Sequence, residues 1–232
     1  MNELITKAEA CLHAQDIATT LRKLSEAFGE HLAFSTSLSL EDQIITHFIF
    51  SNNLPIRVFT LDTGRLFPQT YETMERTRKK YGKTIEVYFP PQEEVERMVN
   101  AKGMFSFYES VENRKECCFI RKVLPLNRAL QGVQCWITGI RAEHSPLRSN
   151  TQLIEWDDSR RIVKYQPLLH WSTSQVEAFV KEHNIPYNPL YDQGFLSIGC
   201  QPCTRAVAPG EDIRAGRWWW EQSHKECGLH TR

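Results

Sequence analysis

The chain has 232 residues, and its 41% hydrophobic and 24% charged content is typical of a globular protein that buries a core. Lysine plus arginine equals aspartate plus glutamate at 28 each, so no net field directs the chain to nucleic acid or to an anionic membrane. The first residues include acids and lack an apolar run, so we expect no signal peptide and a cytoplasmic location. No stretch approaches the roughly 18 apolar residues that a membrane span requires.

Strands and helices alternate along most of the sequence. An amphipathic helix is predicted over 3–28, ending near Gly29. The predicted strands are "HLAFSTS", "IRVFTLDTG", "IEVYFP", "CWITGIRAE" and "RIVKYQPLL". The later predicted helices are "LEDQIITHFIF", "PQTYETMERTRKKYG", "EEVERMVN", residues 117–131 and "STSQVEAFVKEHN". After about residue 192 the pattern fades into a tail that contains arginine and tryptophan.

Two of these helices carry clear end signals. Pro68 lies near the start of one, and Gly82 follows its end. The last helix opens with two overlapping capping-box spacings, Ser172 to Gln175 and Ser174 to Glu177.

The alternation predicts an α/β fold whose mostly parallel sheet is covered by helices on both faces. In such sheets, ligands bind beyond the carboxyl ends of the strands. This rule selects three loops as candidate binding segments: 35–42, 61–66 and 139–149.

The chain has seven cysteines, an odd number that cannot all pair, which argues against a disulfide framework in a reducing cytosol. Cys11 and Cys135 lie in a predicted helix and before an apolar strand, and we interpret both as small buried hydrophobic residues. The other five cysteines are therefore the candidates for metal binding or catalysis.

Four of those five form two pairs that are far apart in sequence. Cys117 and Cys118 are adjacent, whereas Cys200 and Cys203 form a C-x-x-C. Consecutive helical residues point about 100° apart, so adjacent cysteines suit one small metal ion poorly, and a cube-shaped cluster is easier to reach. Four cysteine sulfurs suit either zinc or an iron–sulfur cluster. Four buried structural thiols and a zinc-bearing interaction module remain as alternatives.

Cys227 lies five residues before the end of the chain, in the polar segment "SHKECGLHTR". A structural cysteine at a polar terminus would have little to pack against. Cationic neighbours would favour its thiolate and so lower its pKa. These neighbours are His224, Lys225, His230 and Arg232.

These segments together resemble the assimilatory adenylyl-sulfate (APS) reductases within the APS/PAPS reductase group. The resemblance runs from about residue 31 to the C-terminus. It rests on "CCFIRKVLPL", "VFTLDTGRLFPQTY", "WITGIRAEHSP", "PYNPLYDQGFLSIGCQPCTR" and "KECGLH". It implies an adenine-nucleotide alpha-hydrolase (PP-loop) fold with a C-terminal catalytic tail. The implied division is a helical segment at 1–30, a nucleotide-binding reductase domain at 31–205 and a mobile tail at 206–232.

The resemblance also implies a cofactor and a reaction. Cys117, Cys118, Cys200 and Cys203 would hold one [4Fe–4S] cluster, and Cys227 would be the catalytic nucleophile of the family's E-C-G-[IL]-H motif. The implied reaction reduces APS to sulfite and AMP through an S-sulfocysteine, in sulfate assimilation and cysteine biosynthesis. A thioredoxin or glutaredoxin-like protein would be the reductant. A reductase that prefers PAPS is the alternative, and a homo-oligomer is left open.

The resemblance further implies a set of substrate contacts. These are Thr36, Ser37, Ser39, Leu61, Lys122, Gly139, Arg148, Arg214 and Arg217. Segment 35–42 is similar to a modified PP-loop, whose backbone N–H groups and hydroxyls favour anions. It lacks the glycine pair and the lysine of ATP-cleaving relatives, so we do not expect ATP hydrolysis. Backbone around Leu61 would meet the adenine.

Arginines in the later loops would bind phosphate or sulfate, because one guanidinium group can donate two parallel hydrogen bonds to two oxygens of such an anion. The 139–149 loop offers Arg141 and Arg148, and Arg148 is preferred because the family's second consecutive arginine is replaced here by Ala142. Each of these interpretations has a plainer alternative. The arginines could be solvated surface residues, segment 35–42 could be a serine-rich turn without a ligand, and the segment at 61–64 could be a strand-end turn capped by Asp62. The three tryptophans at 218–220 fit either a core or a stacking surface.

Overall fold

The computed structural model describes residues 3–13, 16–144 and 150–221. Its centre is a six-stranded sheet with the order β3-β2-β1-β4-β6-β5. The strands are β1 Leu32–Ser35, β2 Arg57–Leu61, β3 Glu86–Tyr88, β4 Cys135–Ile137, β5 Ile154–Asp157 and β6 Ile162–Tyr165. All neighbours pair in parallel except β5, which runs antiparallel to β6. The predicted mostly parallel α/β fold is confirmed, and β5 is an edge strand that the sequence pattern did not reveal.

Helices precede, connect and follow these strands. They are α1 Glu3–Glu9, α2 Ile17–Phe28, α3 Leu40–Ser51, α4 Pro68–Tyr81, α5 Gln92–Lys102, α6 Val111–Cys118, α7 Leu124–Ala129 and α8 Thr173–Glu182. None of them, within the described ranges, is both long enough and apolar enough to cross a membrane.

The end signals of α4 and α8 act as the sequence predicts. Pro68 is the first residue of α4, and Gly82 ends that helix in the left-handed conformation at φ 61°. At α8, Ser172 and Gln175 form a complete capping box. Of the two overlapping spacings, the first is therefore the one in use.

The single helix predicted over 3–28 is wrong, because the chain forms two helices there. α1 ends at Glu9 and α2 begins at Ile17. The carboxylate of Asp16 accepts a hydrogen bond from the Thr19 N–H at 2.9 Å, which starts a new helix. The amphipathic spacing continues through the break, so periodicity alone could not reveal it.

The helix predicted over 117–131 begins earlier and changes its winding. Ser110 caps α6, and a π-helical segment at Phe119–Val123 joins α6 to α7. Pro125 has no N–H, so it cannot donate a hydrogen bond to the carbonyl of the preceding helical turn. Such a missing backbone hydrogen bond accompanies local changes in helical winding. This rewinding lies directly after the two adjacent cysteines and sets the direction of the side chains that follow them.

Helices cover both faces of the sheet. Side chains of β1 alternate between the faces, since successive strand residues point to opposite sides. Phe34 belongs to the core formed with α2, α3 and α8, whereas Ala33 packs with Leu126 and Ala129 of α7 on the other face. Cys11 and Cys135 are buried in the first core, as the sequence predicts.

Part of the segment predicted as a tail packs on the sheet domain. The backbone of Thr204 bridges to Arg217, and the Trp218 N–H donates to the Cys203 carbonyl at 3.1 Å. Beyond them, the Glu221 carboxylate accepts two hydrogen bonds from the Arg114 guanidinium, both at 2.9 Å. Both side chains are almost fully buried, so this ion pair fixes the last described residue to α6.

We expect Glu221→Ala to lower the free energy of unfolding by about 3–5 kcal/mol, because it leaves the Arg114 guanidinium buried without its carboxylate. Glu211→Ala is the matched control. It breaks a similar two-bond pair with Arg205, at 2.8 and 3.0 Å, whose side chains are 35% and 41% exposed. When both variants are unfolded in urea, the loss of unfolding free energy in Glu211→Ala should stay below about 1 kcal/mol. Equal losses in the two variants would contradict this account of the anchor.

Candidate active site

A cavity of about 1080 Å³ lies at the carboxyl ends of β1, β2 and β4, where the strand-end rule places ligand sites. This volume is sufficient for a nucleotide. Every predicted substrate contact within the described ranges lines it: Thr36, Ser37, Ser39, Leu61, Lys122, Gly139, Arg214 and Arg217. Arg148 and Cys227 lie outside the described residues.

The loop between β1 and α3 folds around the carboxylate of Asp42. Ser37 donates to this carboxylate through its backbone N–H at 2.5 Å and its hydroxyl at 2.6 Å. Ser39 caps α3 by accepting from the Asp42 N–H at 3.3 Å. Leu38 adopts φ 62°, and its N–H donates to the Thr36 hydroxyl at 3.0 Å. Much of the loop's donor capacity is therefore used inside the protein.

This arrangement corrects the simple expectation of a loop with free donors for an anion. Asp42 brings its own carboxylate to the place where the sequence predicts bound phosphate. Burial raises the pKa of Asp42 to about 6, although the hydrogen bonds from Ser37 oppose this shift. The predicted substrate contacts of this loop stay a prediction, and a bound anion would have to accommodate the Asp42 carboxylate.

Gly139 is required beside this carboxylate. A Cβ atom on Gly139 would lie 2.0 Å from one Asp42 carboxylate oxygen, far inside van der Waals contact. The T-G pair after β4 therefore allows the loops after β1 and β4 to approach one another closely.

Arg141 is not the solvated surface arginine considered from sequence, although it does line the cavity. It is 1% exposed, and its Nε donates to the Glu41 carboxylate at 2.8 Å. Its Nη1 donates to Glu143 at 2.5 Å and to the Trp171 carbonyl at 2.9 Å. These contacts make Arg141 a buried link between the loops that border the cavity.

The turn after β2 is held by Asp62. Its carboxylate accepts from the Gly64 N–H at 2.7 Å and from the Tyr71 hydroxyl at 3.0 Å. The strand-end capping by Asp62 that the sequence left open is thus present, and Leu61 lines the cavity beside it.

The two cysteine pairs come together in one apolar cluster. Cys117 and Cys118 end α6, whereas Cys200 directly precedes a short 3₁₀ turn, Gln201–Cys203, that Cys203 ends. Their apolar neighbours are Met98, Phe107, Ile120 and Trp218. Segments more than 80 residues apart thus meet in one apolar cluster.

Cationic and hydroxyl groups surround these sulfurs. Burial raises the pKa of Cys117 and the positive charge of Arg121 opposes this shift, while Glu221 and, more weakly, Cys118 raise the pKa of Arg114. The Thr63 hydroxyl lies 3.3 Å from the Cys200 sulfur. Such donors stabilise anionic sulfur, so the surroundings fit a Cys₄ group that carries net negative charge.

The pKa values of the thiols differ within the group. Burial raises the pKa of Cys200, but Lys122, Thr63, Arg217 and Arg121 outweigh it and hold the pKa below the ordinary thiol value. Burial and the neighbouring Cys200 raise the pKa of Cys203 to about 12. Several neighbouring thiolates would therefore repel one another unless a bound cation neutralised their negative charge.

The arrangement is not that of a preformed site for one ion. Among the residues the structure describes, no three or more histidine, cysteine or acidic side chains are grouped to hold a single metal ion. The [4Fe–4S] cluster that the sequence implies therefore stays a prediction.

Two cations belong both to the cavity and to the surroundings of the cysteines. Lys122 and Arg217 line the cavity, and the charge of each lowers the pKa of Cys200. Arg217 is 7% exposed and lies over the Trp218 ring at 4.7 Å. A Cβ on Gly199 would lie 2.4 Å from its Nη2, so the glycine before Cys200 makes room for this guanidinium.

Sequence reasoning missed several residues of this site. The Tyr191 hydroxyl accepts from the Leu40 N–H at 3.4 Å, and burial raises the pKa of Tyr191. The Thr138 hydroxyl is buried at the cavity and has no hydrogen-bond partner within the described part of the chain. The acid at position 42 had one signal, its spacing of three residues after Ser39, whereas the roles of Tyr191 and Thr138 depend on tertiary contacts.

Comparisons with known proteins agree with this geometry. The family model for the phosphoadenosine phosphosulfate reductase domain matches residues 31–206. A protein of Burkholderia cepacia named adenosine 5′-phosphosulfate reductase is 50% identical over 87% of this chain and 81% of its own. One of the same name from Allochromatium vinosum is 48% identical over 93% of this chain and 85% of its own.

Solved structures extend the comparison to the fold. A phosphoadenylyl-sulfate (PAPS) reductase from Candida auris, in a phosphate complex, is 28% identical and covers 89% of this chain and 97% of its own, with a TM-score of 0.71. Yeast FAD synthetase in complex with FAD, at 17% identity over 88% of this chain and 76% of its own, shares the fold with a TM-score of 0.54. The predicted PP-loop type of sheet is therefore confirmed. The chain belongs to the phosphoadenosine phosphosulfate reductase domain family, in which its relatives of 48–50% identity are named adenosine 5′-phosphosulfate reductases.

Proposed function

We propose that this protein is an oxidoreductase that reduces APS to sulfite and AMP in sulfate assimilation, with a thioredoxin-like protein as reductant. One observation carries the proposal: Lys122 and Arg217 line the nucleotide-sized cavity and also act on the cysteine cluster. The names of the relatives, at 48–50% identity over most of the chain, support APS as the substrate. A reduced nucleophilic thiol suits a cytoplasmic location.

The chemistry begins with the Cys227 thiolate. It attacks the sulfur of the sulfate group in APS, and the bond from this sulfur to the phosphate oxygen breaks. AMP leaves with that electron pair, and the sulfonate group stays on Cys227 as an S-sulfocysteine. Lys122, Arg214 and Arg217 stabilise the negative charge on sulfate and phosphate as the bond breaks.

Cys117, Cys118, Cys200 and Cys203 are the residues that would hold a [4Fe–4S] cluster. When bound, the cluster supplies a common anchor for the four sulfurs and a fixed charge beside the cavity. The chain's own contribution is the ring of donors, Arg114, Arg121 and Thr63 among them, that stabilises the sulfurs.

A reductase that prefers PAPS is the second candidate. The phosphate complex of the PAPS reductase from Candida auris, with its TM-score of 0.71, favours it. The two substrates differ by one phosphate on the ribose, so the same site chemistry serves both.

The proposed function is tested by sulfite release from APS and from PAPS, measured side by side with thioredoxin as reductant. We expect APS to be the better substrate. Wild-type protein given APS without reductant should gain one SO₃ group, on the peptide that contains Cys227. Cys227→Ser should bind APS but form no adduct, because a serine hydroxyl is far less ionised than a thiol near neutral pH.

Cys11→Ala is the control for that experiment, since Cys11 is buried in the core away from the cavity. It should form the adduct as wild type does. An adduct on another cysteine, or full turnover by Cys227→Ser, would refute the mechanism. Faster turnover of PAPS would favour the second candidate.

The cationic residues of the cavity give another prediction. Lys122→Ala and Arg214→Ala should each lower kcat/KM for APS by roughly 10²–10³, because each removes a charge-assisted contact that tightens in the transition state. Lys79→Ala, which removes an exposed charge in the last turn of α4, should stay near the wild-type rate. Similar and mild effects from all three variants would show that these charges do not act on substrate.

A further inference from the structure

An exposed apolar patch lies beside the cysteine cluster. We name it the aromatic patch and define it by Met104, Phe105, Tyr108 and Trp219, which are 59%, 62%, 39% and 49% exposed. Large apolar side chains that gather on a surface commonly mark a binding site for another protein. Neither the proposed chemistry nor the core of the fold accounts for their exposure.

Ring contacts join the patch into one surface. Phe105 stacks on Tyr108 with ring centroids 6.3 Å apart, and Tyr108 meets Trp220 edge-on at 4.4 Å. Trp220 in turn contacts Trp219 at 5.6 Å. The patch therefore connects the turn after α5 with the last described turn of the chain, although the two are more than 100 residues apart.

Polar contacts hold the patch from beneath. The Arg65 guanidinium donates to the Met104 carbonyl at 2.5 Å and lies 5.8 Å from the Phe105 ring. The Tyr108 hydroxyl donates to the Pro202 carbonyl at 2.5 Å, between the two cysteines of the C-x-x-C. A surface supported in this way is already ordered before a partner binds, which lowers the entropic cost of association.

The position of the patch limits its partner. Trp219 and Trp220 directly precede Glu221, which Arg114 anchors by two hydrogen bonds. Cys227 follows six residues later, so covalent geometry keeps it within roughly 20 Å of that anchor. A protein that regenerates Cys227 must dock within that distance of Glu221, and the aromatic patch lies next to Glu221.

We propose that the aromatic patch is the docking surface for the dithiol protein that reduces the Cys227 adduct. The inference rests on the proposed function and names the partner surface of the same reaction. The fitting partner is a thioredoxin-type protein, whose C-x-x-C is set in an apolar surface. Weak redox encounters use small interfaces, and a few aromatic side chains supply most of their binding energy.

The step that this docking serves is balanced. One thiolate of the partner attacks the Cys227 sulfur, the bond from that sulfur to the sulfonate breaks, and sulfite leaves with the electron pair. The partner's second thiolate then attacks the partner's first sulfur, which is joined to Cys227 in the mixed disulfide, and this attack releases the Cys227 thiolate. The partner ends as a disulfide, and the two electrons that it loses account for the reduction of sulfate to sulfite.

The test uses Phe105→Ser, Trp219→Ser and the double variant of the full-length protein. We expect the KM for thioredoxin to rise by roughly tenfold in the double variant, because two aromatic anchors are lost. Adduct formation from APS without reductant should match wild type, as should turnover with dithiothreitol, which needs no docking surface. Phe89→Ser is the matched control, since Phe89 is 55% exposed but follows edge strand β3, and its KM should not change.

The outcomes separate the inference from the proposed function. An unchanged KM for thioredoxin in the double variant would overturn the docking surface while the proposed function stands. Loss of adduct formation in these variants would overturn it too, by showing a structural role. A fall in oligomeric mass with an unchanged KM would assign the patch to a second copy of the chain instead. Failure of wild type to form any adduct would refute the proposed function itself.

Discussion

Buried sulfur beside buried cations is the constraint on which the rest of this structure depends. Four cysteines share one apolar cluster, where thiolates alone would repel one another strongly. The structure offsets this repulsion with donors from several elements, including Arg114, Arg121 and Lys122. Because Lys122 lies in the π-helical segment that directly follows the cysteine pair, ordering of the cluster also positions a charge at the cavity.

The cavity combines this positive side with a negative one. Asp42 and Glu41 lie in the first turn of α3, and the Glu41 carboxylate pairs with the buried Arg141 from the loop after β4. A buried ion pair contributes little net stability but resists rearrangement, because removing either partner leaves a buried charge. The loops that would hold a nucleotide are thus fixed by internal contacts, with Gly139 as the point of closest approach.

Much of the fold could be predicted from sequence because its signals are local. Pro68 starts α4 where its missing N–H would have no helical partner, and Gly82 ends α4 in the left-handed conformation that favours glycine. The break at Asp16 was missed because the apolar spacing continues through it and only the cap reveals it. The Arg141–Glu41 pair could not be foreseen, since it joins residues 100 positions apart whose proximity depends on the parallel pairing of β1 with β4.

Iron and acid-labile sulfide in the anaerobically purified protein test the central claim most directly, that the cysteine quartet and its cationic surroundings hold a [4Fe–4S] cluster. The account predicts about four of each per chain. It also predicts their loss in Cys200→Ser and their retention in Cys135→Ala, whose thiol is buried in β4 within the separate main core. One stoichiometric zinc ion without iron in the wild-type protein would contradict it.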